Sequence, residues 1–427
     1  MSIIRPRPLV LLVAGQVFSK LAVALYLLSM TLYIRGLDGG AALLGLLQFL
    51  SLAPIVVLSP VAASLADMSG RKAILLVSDA GRGVVLLALA MLLFISAHAT
   101  PALGIAAVLL TALLVGIGQA TFQPAADAFL PDLVPASALG PAVAVRGACV
   151  QTANLAGNAV GGLIFLSLGA TGSTTITAAL FLVSAAWETL LPEPAVSDKK
   201  PKTSPRRPNV PRLLKRLGMQ TRIGLRFARR TRGLPALLIM NLFFHASFPI
   251  LLIALPFFLE FELALGPQYL GYSFAALLAG GITGYILLAL FRIKLGHRVL
   301  AALVGLTAPA LWLLALTADT VPRQLSVPLY FCALVLAGMA AAGGHLIVHT
   351  AIGVAVRRNF RARVYGLLEA STGAAAAFGF LLAGPLLDLL MDRLPSVLMT
   401  LGFFGLILAI VPLQNRSIRG FLLLAKV

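Results

Sequence analysis

Apolar residues run along this chain in blocks of roughly 20, the length a helix needs to cross a bilayer. Short polar or Gly/Pro-containing connections separate them. A helix rises about 1.5 Å per residue and the hydrocarbon layer is about 30 Å thick, so each block is long enough to cross. Inside lipid every backbone amide must be bonded within its own segment, which makes such blocks helices. The pattern predicts twelve spans, at 9–32, 41–64, 73–97, 102–123, 145–168, 173–191, 234–259, 269–291, 298–317, 326–354, 364–387 and 396–414. Nowhere does the chain alternate apolar and polar positions as a transmembrane β-strand would.

The spans divide six and six around a Pro-, Lys- and Arg-rich stretch. That division predicts a bundle over 1–192, a basic linker over 193–233 and a second bundle over 234–427. Two readings of the linker stand side by side: an unstructured segment, or one ending in an amphipathic helix near Leu213–Phe227 on the membrane surface. The halves read as repeats of each other. Gly157 and Gly162 in the fifth span match Gly379 and Gly384 in the eleventh, both at an offset of 222. Together with Gly161 they are candidate helix-packing positions, because small residues let backbones approach in a membrane. Repeats about an axis along the membrane normal are a common transporter plan.

Composition agrees: 60% of the 427 residues are hydrophobic and 11% charged, against about a quarter charged in soluble chains. The net charge of +19 would suggest nucleic acid if it were clustered on a polar domain. It is distributed otherwise. With the N-terminus in the cytoplasm, 27 of the 33 lysines and arginines fall on inner segments, including thirteen between Lys199 and Arg232. This is the positive-inside bias, so no nucleic-acid partner is expected, and the central segment is expected to lie near anionic inner-leaflet lipids. Cys149 and Cys332 both fall inside predicted spans and build no disulfide framework. The first span is too long for a cleaved leader and lacks a small-residue cleavage site.

The loop Ala63-Ser64-Leu65-Ala66-Asp67-Met68-Ser69-Gly70-Arg71-Lys72 resembles the major facilitator superfamily signature G-x-L-x-D-R-x-G-R-[RK], at the position where that family carries it. Ala63 replaces the leading glycine and Met68 the arginine. The resemblance implies twelve helices in two pseudo-symmetric six-helix bundles. It also implies a gating loop in which Asp67, Gly70, Arg71 and Lys72 help to hold one state. Asp79 and Arg82, Phe122-Gln123-Pro124-Ala125, Leu130-Pro131-Asp132-Leu133-Val134-Pro135 and Arg363-Val364-Tyr365-Gly366-Leu367 are similar to the branch containing enterobactin exporters and macrolide-efflux proteins. Gly157-Asn158-Ala159-Val160-Gly161-Gly162 resembles the antiporter motif G-P-x-x-G-G, with Asn158 in place of proline. That branch usually carries an acidic residue midway along its first helix, where this chain has Lys20.

Polar residues inside spans are costly and mark a pathway or a partner. Four pairs at i, i+4 spacing stand out: Gln16/Lys20, Gln119/Gln123, Asn241/His245 and His345/His349, on spans one, four, seven and ten. This spacing places each pair on one helix face. With Gln151, Asn154 and Asn158 on span five and Glu369 on span eleven, they form the candidate cavity and coupling set. Each pair is read alternatively as helix–helix glue. Lys20 lies too deep to reach the interface easily, so it pairs with a carboxylate (Glu369 being the candidate), attracts an anionic substrate, or sheds its proton. Asp79 and Arg82 read as an ion pair supporting the gate. The two histidines alone make a weak metal signal, lacking the glutamate of H-E-x-x-H. A proton-responsive role is expected of them, and no metal or cofactor.

No phosphate-cradling G-x-x-x-x-G-K-[ST] loop occurs, so no ATPase is expected. These observations predict an alternating-access secondary transporter, not an enzyme, that exports an amphipathic small molecule against protons. A drug or siderophore fits, and Lys20 favours an anionic one. Lysophospholipid movement is the alternative within the class; an intramembrane enzyme or a non-transporting sensor are alternatives outside it. The expected setting is a monomer in a bacterial inner membrane, with both termini cytoplasmic.

Overall fold

The computed structural model describes residues 6–95, 101–134, 139–192, 219, 222, 225–290, 296–356 and 358–424 of the chain. Side chains of 59–69 lie outside this description, Asp67 among them. Every regular element among the described residues is helical. They are α1 Pro6–Gly36, α2 Ala41–Ser69, α3 Arg71–Ile95, α4 Pro101–Leu133, α5 Leu139–Glu188, α6 Leu234–Phe257, α7 Gln268–Leu290, α8 His297–Gly305, α9 Thr307–Asp319, α10 Arg323–Ala355, α11 Arg358–Leu389, α12 Leu394–Gln414 and α13 Arg416–Leu424.

Among the described residues, eleven helical stretches are long and apolar enough to cross a membrane. One of them is double. At 50 residues, α5 would span about 75 Å as a single rod. Gly169 breaks it with φ 66° and ψ −168°, a conformation that residues with a Cβ rarely adopt. Its two arms are the fifth and sixth spans, which makes twelve. α8 and α9 form one span, joined at Leu306. Proline lies in the first turns of α6 and α12, where its missing N–H has no helical partner to lose. Within α6, Pro256 does remove a ladder donor, and a π-turn at Phe258–Glu262 follows directly.

The chain forms two compact units, Met1–Gly39 with Leu47–Leu217 and Gly40–Leu46 with Gly218–Val427. In the first, α1 lies against α5. A Cβ on Gly157 would stand 2.9 Å from the Leu21 carbonyl oxygen, and one on Gly161 2.8 Å from Leu28 Cδ2. Gly162 is buried beside them. In the second unit α11 lies against α6 in the same manner, with a Cβ on Gly379 reaching 2.5 Å from the Ala246 carbonyl oxygen. Gly157 and Gly379, matched by their offset in sequence, therefore do the same job: each lets an eleventh- or fifth-span backbone touch the first helix of its own half.

The start of α2 belongs to the second unit, where a Cβ on Gly384 would meet the Ala41 carbonyl oxygen at 2.6 Å. Asp388 on α11 accepts the N–H groups of Ala41 and Ala42 at 2.6 and 3.0 Å. Gly40 has no side chain to cap this helix, so a carboxylate from elsewhere satisfies the orphan donors. Asp388→Ala is expected to lower stability by about 0.5–2 kcal/mol, with Asp388→Asn losing less, as read by thermal unfolding in detergent. α13 closes the second unit. Asn415 Oδ1 accepts from Ser417 N and Ile418 N at 3.0 and 3.1 Å, and Ile418, Phe421 and Leu422 bury against α6, α8 and α10. The amphipathic helix expected near Leu213–Phe227 falls largely outside the described residues.

Candidate functional site

In the first unit, α3 carries Asp79 and Arg82 one turn apart near its middle, and both are buried. The two form an ion pair. Arg82 Nη1 donates to Gln119 Oε1 on α4 at 2.8 Å and Nη2 to Ser19 Oγ on α1 at 3.2 Å, while Ser19 Oγ donates to Asp79 Oδ1 at 3.3 Å. The guanidinium carbon lies 4.8 Å from the centroid of Phe122 and 4.5 Å from that of Phe181, a cation–π arrangement. Room for it comes from Gly118, where a Cβ would approach Arg82 Cγ to 2.7 Å. Glu188, at the end of α5, is 1% exposed; its Oε2 has no hydrogen-bond partner, and it feels the charges of Asp79 and Arg82. The sequence reading assigns Asp79 and Arg82 to the support of a gate. The structure places them at mid-helix, tying three helices together.

A second cluster lies on a more open part of the same unit. Arg146, on the first arm of α5, donates through Nε to Gln16 Oε1 at 2.6 Å and pairs with Asp127 on α4. Gln123 Nε2 donates to the same Asp127 oxygen at 3.1 Å. The Asp127 side chain is 55% exposed and that of Arg146 12%. Lys20 is one turn from Gln16 and within electrostatic reach of Arg82, Asp127, Arg146 and Asp79. Lys20, Arg82 and Arg146 thus share this part of the bundle with the carboxyl groups of Asp79, Asp127 and Glu188. Farther along α5 the polar residues bond to their own helix: Asn154 Nδ2 to Gln151 Oε1 at 3.2 Å, and Asn158 Nδ2 to the Asn154 carbonyl at 2.8 Å.

At the expected gating loop, Gly70 turns the chain between α2 and α3 with φ +85°. Lys72 Nζ donates to the carbonyls of Thr189 and Leu191, both at 2.7 Å. A cation thereby meets the carbonyl end of α5, where the helix dipole is negative. Arg71 is half-buried.

In the second unit α10 carries His345 and His349, their ring centroids 4.3 Å apart. His349 Nε2 lies 2.8 Å from Glu369 Oε1 on α11. Tyr365 stacks on the His349 ring at 5.2 Å and donates to the His349 carbonyl at 2.7 Å. His245 on α6 approaches His345 with centroids 5.8 Å apart. Its Nδ1 sits 2.8 Å from the Asn241 carbonyl oxygen. A carbonyl only accepts, so Nδ1 carries a proton. Asn241 Nδ2 donates to Thr372 Oγ1 on α11 at 2.8 Å. The partner that sequence suggests for Lys20, Glu369, is engaged by a histidine of its own unit.

The structure thus gathers the sequence candidates into two groups. Gln16, Lys20, Gln119 and Gln123 join the charged cluster of the first unit; Asn241, His245, His345, His349 and Glu369 join the histidine cluster of the second. As site residues, sequence reasoning missed Ser19, Asp127, Arg146, Glu188 and Tyr365. Asp127 was findable, since it continues the Gln119/Gln123 face by another four residues. Glu188 was not, because at the end of an apolar run it reads as a boundary charge.

A chain of this architecture matches the family model of the Major Facilitator Superfamily over residues 12–333. The protein belongs to the major facilitator superfamily. As a member of this superfamily it is a multi-pass membrane transporter rather than an enzyme, which sets aside the intramembrane-enzyme alternative. It is 27% identical over 359 residues to the multidrug efflux pump Tap of Mycobacterium tuberculosis and of Mycobacterium bovis, covering 82% of this chain and 80% of theirs. Among solved structures, a D-xylose–proton symporter matches in fold with TM-score 0.69 at 13% identity, covering 97% of this chain and 98% of that one. A bacterial homologue of the lysosomal transporter Spinster matches with TM-score 0.65 at 17% identity, covering 100% and 99%.

Proposed function

We propose that this transporter exports amphipathic small molecules from the cytoplasm by alternating access, driven by protons. The observation that carries the reading is the cluster of Gln16, Lys20, Gln123, Asp127 and Arg146. It places charges of both signs within a membrane bundle, where they are expensive unless they serve a pathway. Asp127 is the carboxylate among them, half exposed, and it pairs with Arg146. A proton arriving there cancels the ion pair and leaves Arg146 without its carboxylate partner, a local imbalance able to bias two bundle states. The second unit, taken by itself, carries an apolar surface. A cleft of about 460 Å³ there is lined by Leu242, Ala246, Ile250, Phe378, Leu382 and Leu386, with Ser371 among its few polar groups. The likeness to multidrug efflux pumps supports export and a broad substrate class, and Lys20 supports an anionic substrate.

The test is transport in proteoliposomes under an imposed pH gradient, with an amphipathic cation, a catecholate siderophore and a lysophospholipid as substrates. Gradient-driven movement of the cation or the siderophore is expected. Asp127→Asn should reduce it at least tenfold, about 1.4 kcal/mol, while substrate exchange without a gradient persists. Unchanged gradient-driven transport in Asp127→Asn would remove Asp127 from coupling. Movement of the lysophospholipid alone would favour lipid transport instead.

A further inference from the structure

The sequence leaves His345 and His349 as two imidazoles one turn apart, too few to hold an ion. The fold adds a third donor. Glu369 on α11 reaches them, and the ligand-capable atoms of His345, His349 and Glu369 all lie within 4.8 Å of one another. His345 Nδ1 is buried and has no hydrogen-bond partner, a condition that costs free energy unless something else satisfies the nitrogen. We propose that His345, His349 and Glu369 form a binding site for a divalent first-row transition-metal ion.

The donor set is what such ions select. Two imidazoles with one carboxylate suit zinc and its neighbours, whereas magnesium and calcium prefer oxygen donors alone. Ligand bonds of about 2.0–2.2 Å to a tetrahedral ion separate its donors by about 3.3–3.5 Å. The spread of up to 4.8 Å contracts to this, and the 2.8 Å between His349 and Glu369 opens by about half an ångström. Glu369 can supply most of that movement, because its side chain is 58% exposed while that of His349 is 30% exposed. Three protein donors leave a tetrahedral position open for water or a ligand carried by the ion. Tyr365 supports the arrangement through its stacking on His349 and its bond to the His349 carbonyl, the kind of outer contact that fixes a metal-bound imidazole. His245 stands beside the triad, its ring against that of His345.

The ion can arrive free or held in a chelate, and binding measurements separate these sources without any transport assay. Full-length protein, stripped with chelator in detergent, would be titrated calorimetrically with Zn²⁺, with a Zn²⁺–hydroxyquinoline complex and with Mg²⁺. Co²⁺ would be followed by its visible absorption. One strong zinc site per chain is expected, with Mg²⁺ binding at least tenfold weaker. His345→Ala, His349→Ala and Glu369→Gln should each weaken Zn²⁺ at least tenfold while eluting and unfolding as the parent does. His245→Gln should stay within threefold. Tighter binding of the free ion identifies a cation site, and tighter binding of the complex a chelate site; both require loss in the triad variants. Zinc binding unchanged in all three triad variants, or absent from the parent, would overturn the proposal. If His245→Gln lost as much as the triad variants, the assignment to these three residues would fall.

Discussion

Replacing Arg82 by methionine is expected to destabilise the first unit by about 3–5 kcal/mol, the cost of leaving a buried charge without its partner. Methionine fills much of the same channel between Phe122 and Phe181, so packing loss is limited and the charge is what changes. Asp79 is fully buried and Glu188 1% exposed, so neither carboxylate can turn to water. Gln119 and Ser19 each lose a donor as well. Arg82→Lys should recover only part, because one ammonium cannot reach Gln119, Ser19, Asp79 and the Ser78 carbonyl as the guanidinium fork does. Adding Asp79→Asn to Arg82→Met should return some stability by removing one orphaned charge. Thermal unfolding in detergent reads all four proteins. An Arg82→Met protein as stable as the parent would mean that water or lipid headgroups reach this site.

Two kinds of information were present in the sequence in unequal amounts. Periodicity and block length are local properties, so the twelve spans could be read directly. Even the break in α5 was visible, since the predicted fifth and sixth spans end and begin on either side of Gly169. The i, i+3 pairing of Asp79 with Arg82 is local too, and the structure contains it. Partnerships between helices are not local. Gln16 and Arg146 are 130 residues apart and Ser19 and Asp79 are 60 apart; nothing in a helical face says which neighbour it meets. For the same reason the meeting of Glu369 with His349 and the capping role of Asp388 were not legible in the sequence. Glycines were an intermediate case. Their repeat at a fixed offset pointed to equivalent packing in the two halves, and Gly157 and Gly379 do pack alike, but which helices they touch had to come from the fold.

Gly338→Ala is expected to cost about 1–3 kcal/mol by overpacking and to weaken the proposed metal site, although the residue touches no candidate ligand. α7 and α10 cross backbone to backbone. A Cβ on Gly338 would lie 1.9 Å from the Leu277 carbonyl oxygen, and one on Gly280 2.1 Å from the Val335 carbonyl oxygen. Neither oxygen can rotate away as a side chain can, so the helices must part. His345 and His349 lie two and three turns farther along the same α10, about 10 and 16 Å away. A shift of α10 therefore moves both imidazoles relative to Glu369 on α11. Gly344→Ala is the matched control on that helix, because its added methyl would meet only Val304 Cγ2 at 3.8 Å. Removing a helical glycine there should be neutral or gain up to about 1 kcal/mol. Unfolding temperature and Zn²⁺ affinity would be measured on both. Loss of both quantities in Gly338→Ala alone would show that the crossing of α7 and α10 sets the histidine geometry. Lost stability with unchanged affinity would mean that the triad adjusts to the shift, so that its ligands are held by α11 and Tyr365 rather than by the helix crossing.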